Sequence, residues 1–113
     1  MTDSKDDPTT LTDSLRDSVK ARIRSDDGFR FALFSHAVEV MLTDDMATAK
    51  SVLKDYIDAT IGFEELSRQS GFSSRHLRRM FSPTGDPRAG EMFRVIGILQ
   101  QHQGIQLEVS AAA

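Results

Sequence analysis

Apolar residues recur at helical spacing along nearly the whole chain, and only the last stretch alternates with a period of two. Leu15, Val19 and Ile23 fall four residues apart. They make a narrow stripe that predicts a first helix, capped by Thr12 or Asp13 and fading near Arg24 or Ser25. Asp26 or Asp27 is the next cap. Between Phe29 and Leu42, the residues Phe29, Ala32, Leu33, Ala37, Val40 and Met41 share one helical face, and Phe31, Phe34 and Val38 widen it. So wide an apolar surface predicts a deeply buried helix, or one that also serves an interface. Thr43, Asp44 and Asp45 interrupt the pattern. A third helix is predicted to about Thr60, with Ala49, Val52, Leu53, Tyr56 and Ile57 inward, and Gly62 ends it.

The next stretch, Phe63 to Phe81, carries the most specific order of residue types. It predicts two short helices joined by a tight turn at Gly71. Leu66 lies where the first helix meets the second, and the small Ser67 lets the two cross closely. Gly71 stands where the chain reverses and a positive φ is needed, which glycine accepts without a Cβ clash. Phe72 plugs the angle between the helices, and Ser73 or Ser74 caps the second. Leu77 with Met80 or Phe81 faces inward, leaving Arg75, His76, Arg78 and Arg79 outside. This is the outline of a helix-turn-helix, whose second helix enters the DNA major groove. The competing reading is a pair of ordinary surface helices with a solvated basic face.

Ser82-Pro83-Thr84-Gly85-Asp86-Pro87 then reads as a loop. Asp86 as N-cap and Pro87 at the first helical position predict the start of a last helix. That helix carries Met92, Phe93, Val95, Ile96 and Leu99, ends near His102 and is broken by Gly104. Ile105, Leu107 and Val109 alternate with Gln106 and Glu108, the signature of a half-buried strand. A lone strand must pair with a partner chain, its own symmetry mate or an extended amino terminus. The chain thus divides into a disordered tail at 1–11, amino-terminal helices at 12–43, a helix-turn-helix domain at 44–103, and a strand and tail at 104–113.

The 113 residues suit one modest core, and the absence of cysteine excludes disulfides and cysteine-based zinc sites. No apolar run approaches a membrane span, and the polar, acidic start is unlike a signal peptide, so a cytoplasmic protein is expected. The net charge of −3 is unevenly spread. Residues 1–65 hold eight basic and fourteen acidic side chains, whereas residues 66–102 hold six arginines against Asp86 and Glu91. Positive charge therefore collects where the paired short helices lie, in arginine, the side chain suited to bidentate contacts with guanine and phosphate.

The order Leu66-Ser67, Gly71-Phe72-Ser73 and Phe81-Ser82-Pro83-Thr84-Gly85-Asp86-Pro87 resembles the HigA-type antidote proteins of addiction modules, relatives of the phage-repressor helix-turn-helix regulators. The similarity covers about residues 28–109, most securely 49–99. The Ser-Pro-x-Gly-Asp-Pro loop is its more specific element. Asp86 departs from the asparagine usual in that family, and Gly90 lies inside the last helix, where glycine costs about 1 kcal/mol relative to alanine. The extra helix around residues 13–24 has no counterpart. The resemblance implies an all-α, repressor-like helix-turn-helix domain of five to six helices, here with one short C-terminal β-strand.

On this reading Ser73, Ser74, Arg75, Arg78 and Arg79 are the DNA-binding residues, while Arg68 and Arg88 meet phosphates and so position without reading sequence. The amide groups at the start of the last helix are a further candidate for phosphate. The expected molecule is a dimeric repressor on a palindromic operator in double-stranded DNA, with the lone strand and the wide apolar helix as candidate dimer surfaces. The alternative is an antitoxin that neutralises a RelE-like ribonuclease, its acidic half (Asp3, Asp6, Asp7, Asp13, Asp17, Asp26 and Asp27) facing a basic partner. An enzyme is not expected, nor a cofactor or metal. His36, His76 and His102 lack metal-ligand spacing, His36 reads as a core histidine, and His76 as a solvated one.

Overall fold

The structure is a computed structural model that describes residues 8–112, with side chains from Asp13 onward. It is all-helical over those residues: α1 (Pro8–Ser25), α2 (Asp27–Leu42), α3 (Met46–Ala59), α4 (Phe63–Ser70), α5 (Ser74–Met80) and α6 (Ala89–Gln103). Residues 1–7 of the expected tail, with Asp3, Asp6 and Asp7, lie outside the described residues. Residues 8–11, also assigned to that tail, belong to α1, whose first position is a proline, where the missing N–H costs nothing.

Each boundary has a local cause. The Asp26 carboxylate accepts the Phe29 amide at 3.0 Å and starts α2. Thr43 closes α2, its hydroxyl donating to Val40 O at 2.9 Å, and Asp44 turns the chain with φ 64°. The Asp45 carboxylate accepts the Thr48 amide at 3.1 Å and starts α3. Beyond Thr60, the Gly62 amide reaches back to Ile57 O at 2.8 Å while its own φ of 80° redirects the chain into α4.

α2 packs on α3 and α1 on both; α4 packs on α5 and α6. One continuous apolar cluster joins the two groups, running from Ile23 through Leu53, Tyr56 and Ile57 to Leu66, Leu77, Met92 and Leu99. Residues 12–43 and 44–103 therefore share a core. The Phe34 and Tyr56 rings stack at 5.0 Å between α2 and α3.

Three expectations need correcting. The wide face of α2 is not uniformly buried: Phe34 and Ala37 are fully enclosed, Ala32 is exposed, and His36 stands in solvent, not in the core. Burial along the α1 stripe rises toward its carboxy end: Leu15 is 68% exposed, Val19 packs half-buried against the core and Ile23 is fully buried. The alternating carboxy terminus is not a strand. Ile105 and Leu107 pack half-buried against the core, and the Leu107 amide donates to the Gln100 side chain at 2.8 Å, so their alternation reflects one extended segment lying on a helical body. Val109, 84% exposed, continues that alternation without a neighbour to bury it.

Tyr56 is wholly enclosed and its hydroxyl has no hydrogen-bond partner among the described residues; burial pushes its pKa up to about 12. A buried unpaired hydroxyl contributes nothing that phenylalanine would lose. Tyr56→Phe is thus expected to leave urea stability unchanged or raise it, whereas Leu53→Ala, which empties the same layer, lowers it by about 3 kcal/mol. A clear loss in Tyr56→Phe would contradict this packing.

Candidate nucleic-acid interface

The site is built by the turn between α4 and α5. Gly71 ends α4 in the left-handed region, φ 81°, and its amide donates to Ser67 O at 3.0 Å. The Ser67 hydroxyl donates to Phe72 O at 2.6 Å, which ties the turn across itself. Phe72 is half-buried against the core and meets the His76 ring edge to face at 5.5 Å. Ser73 caps α5, its hydroxyl accepting the His76 amide at 3.0 Å. Leu77 and Met80 are buried beneath the helix. The residue types read from the sequence therefore occupy the positions expected of them.

The outer face of α5 holds Arg75, Arg78 and Arg79, all exposed. They are not equivalent. The Arg78 guanidinium lies 4.8 Å from the centre of the Phe63 ring, a cation–π contact that holds it toward α4. Arg75 and Arg79 make no ion pair among the described residues, and helical spacing sets both positions on the side of α5 away from Leu77. Ser74 donates to the Glu64 carboxylate at 3.1 Å. Arg68, expected on phosphate, is ion-paired with Glu65 on its own helix, and Gln69 also donates to that carboxylate. These partners hold the Glu65 carboxyl below the usual carboxylate range and raise the Arg68 guanidinium.

Arg88 is exposed and stands as the residue preceding α6. Its amide donates to the Glu91 carboxylate at 3.1 Å. α6 thus begins at Ala89, capped through Glu91, and not at Asp86-Pro87 as the sequence suggested. Glu91 also pairs with the His76 imidazole, bridging α5 to α6. His76, chiefly, and the Arg88 amide hold the Glu91 carboxyl below its ordinary range. His76 is therefore a bridging residue and not simply a solvated one. An open cleft of about 280 Å³ lies beside this pair, and Arg79 and Asp86 both line it.

Two residues that hold the site together carried no role in the sequence reading. Lys50 of α3 is only 6% exposed, and its ammonium donates to Ser82 O at 2.9 Å, Pro83 O at 3.3 Å and Gly85 O at 2.6 Å. Its signal was a lysine at the same helical spacing as Leu53 and Ile57. Arg94 of α6 donates to Ser70 O at 2.7 Å and lies over the Phe72 ring at 5.7 Å, so part of the basic island is structural. Gly85 is required by the same loop: a Cβ there would overlap the Arg79 carbonyl and stand 2.9 Å from Met80 O. Among the described residues no group of three metal-binding side chains comes together, and no helix is long and apolar enough to cross a membrane.

No family model, curated protein or solved structure matches the chain.

Lys50→Met removes a charged donor from three carbonyls, and is expected to cost about 2–3 kcal/mol in urea unfolding. Gly85→Ala is expected to cost more, because backbone must move. Stability equal to wild type in both variants would contradict the clamp. A second expectation concerns acid. Asp26, Asp45 and Glu91 are each depressed in the folded chain: Asp26 chiefly by the Phe29 amide, Asp45 by Thr48 and Glu91 by His76. A depressed carboxyl contributes stability above the ordinary carboxylate range and loses it as the pH falls through the folded value. Melting temperature should therefore drop on acidification through that range, and Glu91→Gln should make the drop shallower.

Proposed function

We propose that this chain is a sequence-specific DNA-binding transcriptional regulator of the repressor-like helix-turn-helix class, with α5 as the recognition helix. The observation that carries the reading is the Gly71–Ser73 turn, beyond which Arg75 and Arg79 are exposed on α5 without an ion pair among the described residues, while Leu77 and Met80 are buried. Proteins of this class place the start of such a helix against base edges. Arg75 and Arg79 take that role, with Ser73 and Ser74 close to the backbone. Arg78, held on Phe63, lies at the margin. Arg88 is the arginine suited to phosphate, whereas Arg68 must first leave Glu65.

One short recognition helix makes few contacts, so two copies on a two-fold operator are part of the proposal. Phosphate neutralisation makes such binding fall steeply with salt. The resemblance to antidote proteins of addiction modules, carried by the 82–87 loop, supports the same class of regulator.

Fluorescence anisotropy with a labelled duplex pool tests the reading. Wild-type protein is expected to bind with log K falling linearly in log salt. Arg75→Ala and Arg79→Ala should each weaken binding about tenfold, with melting temperatures close to wild type because both side chains are exposed and neither has an ion-pair partner among the described residues. Arg68→Ala should change affinity much less. Equal affinity across all four proteins, or no binding at low salt, overturns the proposal.

A further inference from the structure

Resting on the DNA-binding reading above, we infer that the site reads guanine: each operator half-site carries two guanines, one under Arg75 and one under Arg79. The inference follows from which groups on α5 are already occupied. The Ser73 hydroxyl is used as the helix cap, and the Ser74 hydroxyl donates to Glu64. His76 is held by Glu91, and Arg78 by the face of Phe63. Leu77 and Met80 are buried. Arg75 and Arg79 are the side chains of the helix left to read a base edge.

Both are guanidinium groups, which donate hydrogen bonds and accept none. In the major groove only guanine offers two adjacent acceptors, N7 and O6, to a planar fork of donors. Adenine and cytosine present an amine donor at the matching edge, and thymine a single acceptor beside a methyl group. The sequence of α5, SRHLRRM, contains no asparagine, glutamine or carboxylate that would select adenine or cytosine instead. Gln69, the nearest carboxamide on α4, is bonded to Glu65.

The spacing adds a geometric condition. Residues four apart rise about 6 Å along a helix, and base pairs stack about 3.4 Å apart, so the two guanines lie within about two base-pair steps. Asp86 lines the same open cleft as Arg79, and a carboxylate beside the arginine disfavours a phosphate there.

The test is a binding selection with the full chain on a duplex pool of randomised centre, followed by titration of the enriched duplexes. The expected consensus has two guanines per half-site at that separation. Replacing either with 7-deazaguanine, which lacks the N7 acceptor, should weaken binding about tenfold. Arg75→Lys and Arg79→Lys keep the charge and lose the fork. Each should abolish preference at one guanine yet retain salt-dependent affinity, and circular-dichroism melting should match wild type. A consensus without guanines, or one indifferent to 7-deazaguanine or to the lysine variants, overturns the inference and leaves DNA binding intact. No enrichment together with no salt-dependent binding brings down both.

Discussion

The buried ammonium of Lys50 is the constraint on which the carboxy-terminal half depends. A charge taken out of water is costly unless hydrogen bonds replace its hydration. Three carbonyls of one short loop do so. Those carbonyls can converge only because Gly85 lets the loop lie against the Arg79 and Met80 carbonyls at the end of α5. α3 is thus fixed to the loop by the Lys50 side chain on main-chain carbonyls, the loop lies against the end of α5, and α6 follows from the same loop. Arg94 on Ser70 O and His76 on Glu91 add links from α6 back to α4 and α5.

This arrangement explains the division of labour among the arginines. Of the six between Leu66 and His102, Arg94 and Arg68 are tied by hydrogen bonds or ion pairs and Arg78 rests on an aromatic face. Arg75, Arg79 and Arg88 are left with exposed side chains. On the proposed reading, a platform carrying guanidinium groups without an ion pair among the described residues suits an anionic, acceptor-rich surface, because little ordering is needed beyond the arginines themselves. The amino-terminal helices α1 and α2 share the core with this platform.

Much of this was legible in residue order. The positive φ at Gly71, the Ser73 cap and the inward Leu77 follow from requirements that only certain side chains meet, so pattern and structure agree. The failures have physical causes of equal interest. Ile105-Gln-Leu-Glu-Val alternates because one side of an extended segment rests on the core, and alternation reports that side without requiring a ladder partner. His36 sits among apolar neighbours in sequence, yet α2 is covered over a narrower arc than its composition suggested, so the histidine faces water. Asp86-Pro87 has the chemistry of a helix start, but Glu91 caps the Arg88 amide and shifts the start to Ala89. The roles of Lys50 and Arg94 are not legible in the sequence because their partners are main-chain carbonyls distant along the chain, which no side-chain pattern marks.

The central proposal is that α5 presents its Arg75–Arg79 face to DNA while the platform beneath stays fixed. Amide-resolved nuclear magnetic resonance during titration with a short duplex at low salt tests it most directly. The account predicts shifts concentrated at Ser73–Arg79 and at the Arg75 and Arg79 Nε–H signals, with Lys50, Leu53 and Tyr56 unmoved. Shifts confined to α1 and α2, or none where the duplex is in excess, would contradict it.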